Sequence, residues 1–139
     1  MDPTTTVPSV AVIIAAKDEA ARIVTTVSAA RRIAGVDLVI VVDDGSSDAT
    51  GRLAADAGAV VLSHPRNRGK AAAMATGAGA VADHDINDPV VLGGARLLLF
   101  IDADLEHSAA NAAALVAPVA SGDADMTICL LYTSDAADE

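Results

Sequence analysis

Apolar and polar positions follow two different periods along this chain, and each switch between them marks an element. Val10 to Ala15 is a short apolar run with β-branched residues, which predicts a strand. From Glu19 to Ala34 the positions Ile23, Val27, Ala30 and Ala34 recur at helical spacing, and Gly35 supplies a stop. Asp37 to Val42 is almost wholly apolar, as in a strand buried on both faces of a parallel sheet. Ser46, Ser47 and Asp48 offer N-caps for a second helix that carries Leu53 and Ala57 to Gly58. Ala59 to Leu62 predicts a third strand. A polar loop from Ser63 to Gly69 then leads into a third helix, with Met74, Gly77, Ala78 and Val81 on one face. Asp83 to Ala95, with Asp, Asn, Pro and paired Gly, reads as a surface connector. Arg96 to Ile101 is a fourth strand, and Ser108 to about Ala117 a fourth helix ended near Pro118. Met126 to Ile128 begins a fifth strand. Strand and helix alternate throughout, which predicts an α/β fold with a mostly parallel sheet.

Composition refines this picture. The 139 residues make one domain at most, long enough for a real core. Hydrophobic residues reach 53%, yet Phe and Tyr occur once each and Trp never. The core is therefore built from Ala, Val, Leu and Ile, which suits helices packed closely on a sheet. The end of the chain has a different character. Cys129 to Glu139 holds the only Cys and the only Tyr, and it resembles the translation of a transposon-type sequencing adapter. The expected organisation is a tail over 1–9, a domain over 10–128 and a non-native tail over 129–139. A genuine strand with an acidic tail is the competing reading of those last residues. Without them the chain has no cysteine, and so no disulfide or thiolate chemistry.

Charge excludes some partners. The net charge is -10, with no basic stripe to follow a phosphate backbone, so nucleic acid is not an expected partner. An acidic protein that binds an anionic ligand needs a local answer to repulsion, such as a metal ion or helix N-termini. Met1 to Ser9 lacks the basic start and apolar run of a secretory signal. No apolar stretch approaches the roughly 20 residues that span a bilayer. A cytoplasmic protein without a membrane segment in this stretch is expected.

The candidate chemistry gathers at strand ends, where open α/β sheets bind their ligands. The first strand ends in Ala15-Ala16-Lys17-Asp18-Glu19 and the second in Asp43-Asp44-Gly45-Ser46-Ser47. The third leads to His64-Pro65-Arg66-Asn67-Arg68-Gly69-Lys70, and the fourth ends in Asp102-Ala103-Asp104. Asp102 and Asp104 can point at one small volume, and hard cations such as Mg²⁺ or Mn²⁺ prefer such ligands. The bland role for that pair is to cap the next helix or face water. Asp43-Asp44 can accept from ribose or base. Since Ser46 and Asp48 already offer caps, two further acids look surplus to structure. Glu19 equally suits a first-turn acid favoured by the helix dipole. Asn67-Arg68-Gly69-Lys70 suits a phosphate or a base carbonyl, but lacks the glycine and hydroxyl of a Walker loop. No G-x-G-x-x-G follows the first strand, which argues against a dinucleotide fold. His64, His84 and His107 read as surface or loop residues, and Arg31-Arg32 as a solvated helix face.

Taken together, four segments resemble family 2 glycosyltransferases of the GT-A fold. They are Val12 to Glu19, Val41 to Thr50, Asn67 to Met74 and Phe100 to Leu105. The resemblance spans about 10–128 and implies the Rossmann-like nucleotide-binding half of such an enzyme, truncated. It implies nucleotide contacts at Ala15, Glu19, Asp43, Asp44, Lys70 and Asp102. Glu19 and the Asp43-Asp44 pair would hold base and ribose, and Lys70 the base or phosphates. Asp102 would lie near ribose and metal, with Asp104 binding Mg²⁺ or Mn²⁺ on the diphosphate. The implied partner is a nucleotide-diphosphate sugar, with the acceptor open. The first motif departs from the family, with Lys17-Asp18 where Pro-x-Asn is common. An acidic base, where relatives have one, belongs to an acceptor half further along, so no catalytic residue is named and the chain alone is expected to be inactive. Two subtypes compete, the glucosyl-3-phosphoglycerate synthases and the polyprenol-phosphate sugar transferases. Outside the class stand a non-catalytic nucleotide-binding remnant and a receiver-like signalling domain.

Overall fold

The computed structural model describes residues 9–86 and 96–122. The expected tail over 1–9 lies almost entirely outside these residues, as do the fifth strand at 126–128 and the non-native tail at 129–139. The elements run β1 (Val10–Ala16), α1 (Ile23–Arg31), β2 (Val36–Asp44), α2 (Thr50–Asp56), β3 (Val60–His64), α3 (Lys70–Ile86) and β4 (Leu97–Asp102). A 3-10 helix (Glu106–Ala112) and α4 (Ala113–Ala120) follow.

The four strands are all parallel, in the order β3-β2-β1-β4. β1 and β2 are the continuous apolar runs of the sequence, and they occupy the two central positions because both their faces are covered. The outer strand β4 instead alternates: Leu99 and Ile101 are buried, while Leu98 and Phe100 are exposed. One core layer joins Val10, Val12, Ile14, Val39 and Val41 to α1, α2 and the 3-10 helix through Ile23, Val27, Ala54 and Ala109. The opposite layer joins Ala11, Ile13, Ile40 and Val42 to α3 through Ala73 and Val81. A helix can lie this close only where the residue facing the sheet is small. A Cβ built on Gly77 would sit 2.4 Å from Ile13 Cγ2, a methyl pinned inside the core. Gly77→Ala is therefore expected to destabilise the fold by about 1–2 kcal/mol. Overpacking of roughly 1–3 kcal/mol outweighs the gain of up to about 1 kcal/mol in helix propensity. Urea denaturation midpoints measure this.

Several predicted boundaries move, each for a physical reason. The first helix begins at Ile23 rather than Glu19, because Arg22 leaves the helical region at φ -124, and the N–H groups of Asp18, Glu19 and Ala20 ahead of it are held by another loop. They donate to Ser46 Oγ, Thr50 Oγ1 and Asp48 Oδ2 at 2.9, 2.9 and 3.2 Å. Of the residues expected to cap α2, Ser46 and Asp48 thus reach the neighbouring turn, and Asp48 also accepts the Thr50 N–H at the start of α2 at 3.0 Å. α2 starts later, at Thr50, with no side-chain cap bond from its N-cap residue Ala49. α3 continues to Ile86, so 83–86 is helical rather than connector, and 87–95 lies outside the described residues. The last helix does not stop at Pro118, which sits inside α4. The carbonyl that Pro118 leaves without a donor belongs to Ala114, an exposed residue open to water.

Candidate functional site

The strand order places the site. β2 and β3 lie successively to one side of β1, and β4 lies on the other, so the order reverses between β1 and β4. At such a switch point the loops leave in opposite directions and open a crevice beyond the strand ends. Register puts Ala15 level with Asp102 across this crevice, and Ala16 level with Asp43 on the other side. Lys70, first residue of α3, reaches the crevice and forms an ion pair with Asp102 Oδ1. Both side chains are more than half exposed, so the pair itself adds little stability. It does hold an ammonium and a carboxylate beside the small Ala15. A cleft of about 960 Å³ continues from these residues along Met74 and the exposed side of β4, past Leu98 and Phe100.

Asp104 stands in the turn after β4, exposed like Asp102, with buried Ala103 between them. It makes no hydrogen bond or ion pair to any described residue. Among the described residues no group of three or more His, Cys, Asp or Glu could hold a metal by itself. Two exposed carboxylates are nonetheless a fitting donor set for Mg²⁺ or Mn²⁺. Such ions commonly take one or two protein carboxylates and complete their shell with water and ligand phosphates.

The other predicted site residues are deployed differently. Asp43 is half-buried, and its Oδ1 accepts the Ser46 N–H at 3.0 Å. Its other oxygen faces the first turn of α2, where a Cβ on Gly51 would approach to 2.8 Å. Glu19 turns back on Arg22, accepting from Nη2 at 2.6 Å and Nε at 2.8 Å. It precedes α1 and so is not a first-turn acid. Asp44 is buried, 5% exposed, with both oxygens engaged. Oδ1 accepts from Arg68 N–H at 2.9 Å and pairs with His64 Nδ1 at 2.8 Å, while Oδ2 accepts from Gly69 N–H at 2.9 Å. Asp44 thus ties down the loop that delivers Lys70. Far from being surplus to structure, it is the acceptor on which that loop closes.

His64 corrects the expectation of a surface histidine. It is 7% exposed, at the end of β3 and level with Asp44 in the parallel register. Its Nε2 lies 2.9 Å from Thr76 Oγ1. With Nδ1–H donating to Asp44 and Nε2 accepting from Thr76, both ring nitrogens are satisfied. The one sequence signal was its position at the end of a strand beside an acidic strand end. Gly45 lets the loops meet: it has φ +77, and a Cβ there would sit 2.5 Å from Asn67 N.

Three carboxyls are displaced from their ordinary values. Burial pushes Asp44 up, but the bonds from Arg68, His64 and Gly69 outweigh it and leave the carboxyl below the usual value. The Ser47 N–H, ahead of the Lys17 ammonium, holds Asp18 down. The Thr50 hydroxyl is the main cause for Asp48, which is also lowered. Asp18 and Asp48 belong to the interlocked loops, where Asp18 accepts the Ser47 N–H at 2.7 Å at a backbone φ of 55.

The all-parallel sheet, with acids and a lysine beside its switch-point crevice, matches the Rossmann-like GT-A architecture. The family model for glycosyl transferase family 2 matches residues 11–138, and the chain belongs to that family. This membership sets the receiver-like alternative aside. No curated protein matches the chain by sequence. Among solved structures, a mycobacterial protein superposes with a TM-score of 0.65 at 27% identity, covering 84% of this chain and 38% of its own. Glucosyl-3-phosphoglycerate synthase from Mycobacterium tuberculosis, in complex with Mn²⁺, UDP-glucose and phosphoglyceric acid, gives 0.65 at 26%, covering 84% and 40%. The same enzyme with Mg²⁺ and UDP gives 0.63 at 27%, covering 82% and 40%. The chain therefore spans about two-fifths of the length of these relatives.

Proposed function

We propose that this chain binds a nucleotide-diphosphate sugar together with Mg²⁺ or Mn²⁺ in the β1–β4 crevice, as the donor part of a hexosyltransferase. The observation that carries the reading is the convergence of Lys70 and Asp102 opposite Ala15, with Asp104 beside them and without a partner among the described residues. Asp104 and Asp102 would hold the cation, which when bound supplies Lewis-acid stabilisation of the diphosphate leaving group. The Lys70 ammonium would exchange its partner from Asp102 to a phosphate oxygen. Asp43, level with the end of β1, would accept from ribose or base beside its bond from the Ser46 N–H. Glu19 joins it only by releasing Arg22. Asp44 serves the nucleotide through the loop that it holds. A small residue at Ala15 leaves the crevice floor open.

Relatives solved with UDP or UDP-glucose support a uridine nucleotide and favour the glucosyl-3-phosphoglycerate synthase subtype over the polyprenol-phosphate one. The acceptor stays open. Since the chain matches only about two-fifths of those enzymes, we infer that it binds donor without transferring the sugar. Cytoplasmic action is part of the same reading, and among the described residues no helix is long and apolar enough to cross a membrane.

Calorimetric titration of UDP-glucose into the chain tests the reading. Binding is expected with Mn²⁺ or Mg²⁺, weakening at least about tenfold in EDTA, since charge neutralisation is lost along with the coordination bonds. Absence of binding with either metal sinks it.

A further inference from the structure

The turn that carries Asp102 and Asp104 is fixed from behind by a residue far away in sequence. Thr26, on α1, is fully buried among Ile23, Val27 and Ala30. Its hydroxyl donates to the Ala103 carbonyl at 2.7 Å and accepts the Glu106 N–H at 2.9 Å. The Arg22 carbonyl lies 3.0 Å away. A threonine inside a helix can satisfy itself by such a bond to the carbonyl four residues back, with no other partner. Here the single hydroxyl proton has a shorter bond to Ala103, and the oxygen also receives Glu106. Both partners flank Asp104, one on each side. Glu106 has φ 53, unusual for a residue with a side chain, so this turn needs an external hold. The methyl of Ala103 supplies another, since it is buried in the same core layer.

We propose that Thr26 is a positioning residue for the Asp102–Asp104 pair. It fixes the backbone on both sides of Asp104, so the two carboxylates stand where one divalent cation can take both. The inference rests on the donor-site reading above. Groups that orient metal ligands without touching the metal typically change affinity by roughly 10–100-fold when removed. Thr26→Val keeps the shape and burial and removes the hydroxyl.

The test measures UDP affinity with Mn²⁺ and in EDTA, and Mn²⁺ binding by electron paramagnetic resonance, for the wild type, Thr26→Val and Thr26→Ser. With Mn²⁺, Thr26→Val is expected to weaken UDP binding by roughly 10–100-fold. Its affinity in EDTA should match wild type, and Thr26→Ser should restore the metal-dependent part. Should Thr26→Val fail to fold, Thr26→Ala against Thr26→Ser gives the same comparison. Unchanged Mn²⁺ dependence in the hydroxyl-free variant overturns the proposal. So does an equal loss with and without metal, which marks a merely structural residue. A wild type with no Mn²⁺-dependent UDP binding overturns the donor-site reading itself, and this inference with it.

Discussion

Asp104→Ala is expected to weaken Mn²⁺-dependent UDP binding by about a hundredfold or more, the upper end of what loss of an indirect metal-site partner costs. At 25 °C that factor is about 2.7 kcal/mol. The reason lies in how the two acids of the pair differ. Asp102 already faces a positive charge, the Lys70 ammonium, and its removal changes both the metal site and the lysine. Asp104 has no partner among the described residues, so its substitution removes a cation ligand and little else. It is exposed, and the fold should be unaffected, since surface changes away from caps and networks usually stay within about 0.5 kcal/mol. The measurement is UDP titration at fixed Mn²⁺, with thermal unfolding as the control. Equal Mn²⁺ dependence in variant and wild type excludes Asp104 as a ligand. A non-catalytic remnant would show the same indifference in both proteins.

Asp44→Ala is expected to act on stability instead, by about 3 kcal/mol. Its loss orphans the N–H of Arg68 and the Nδ1–H of His64, while the Gly69 N–H keeps only its second acceptor, Asn67 Oδ1. Each buried donor left unsatisfied costs about 1–3 kcal/mol, and exposure of the loop allows water to recover part of that. Against a typical domain stability of about 5–15 kcal/mol this is a large fraction. The acid dependence carries the signature. The folded-state value of Asp44 lies below its ordinary 3.8, so the unfolded chain binds the proton more readily. Its contribution is complete above that ordinary value and is lost as pH falls through the lower folded-state value. The stability gap between wild type and Asp44→Ala should thus be constant near neutrality and narrow in strong acid. Urea denaturation from pH 7 downward reads this gap. A gap that stays constant down to the acid limit of folding would show that the Asp44 charge is not what holds the loop. Because the same loop delivers Lys70, nucleotide binding should also weaken in this variant.

The central strands were legible because burial on both faces leaves a continuous apolar run, as in Leu38 to Val42. The long third helix was legible in its Met74, Gly77, Ala78 and Val81 face, of which Gly77 and Val81 are buried in the fold, with Ala73 in place of Met74 and Ala78. The first helix starts later than its pattern predicts because periodicity reports which face is apolar, not where the backbone leaves the helical region, as it does at Arg22. Asp48 does accept the Thr50 N–H at the start of its own helix, but it and Ser46, with Thr50, also close the turn ahead of α1. His64 was missed for a related reason. A lone histidine after a short strand looks solvent-facing until a parallel neighbour places Asp44 beside it.

Residue order alone therefore determined the alternation of strands and helices, the parallel sheet and the acids at its carboxyl edge. These follow from local periodicity and from where polar residues interrupt apolar runs. Only the tertiary structure decided which acids stand open at the crevice and which are tied into the fold. Asp43 and Asp44 are neighbours in sequence, but side chains alternate along a strand, so one is half-buried beside α2 and the other is sealed under a loop. Asp102 and Lys70 are 32 residues apart and meet because β4 lies next to β1 rather than beyond β3. Strand order and register are non-local properties, set by which faces can be buried together, and no period within a single segment encodes them.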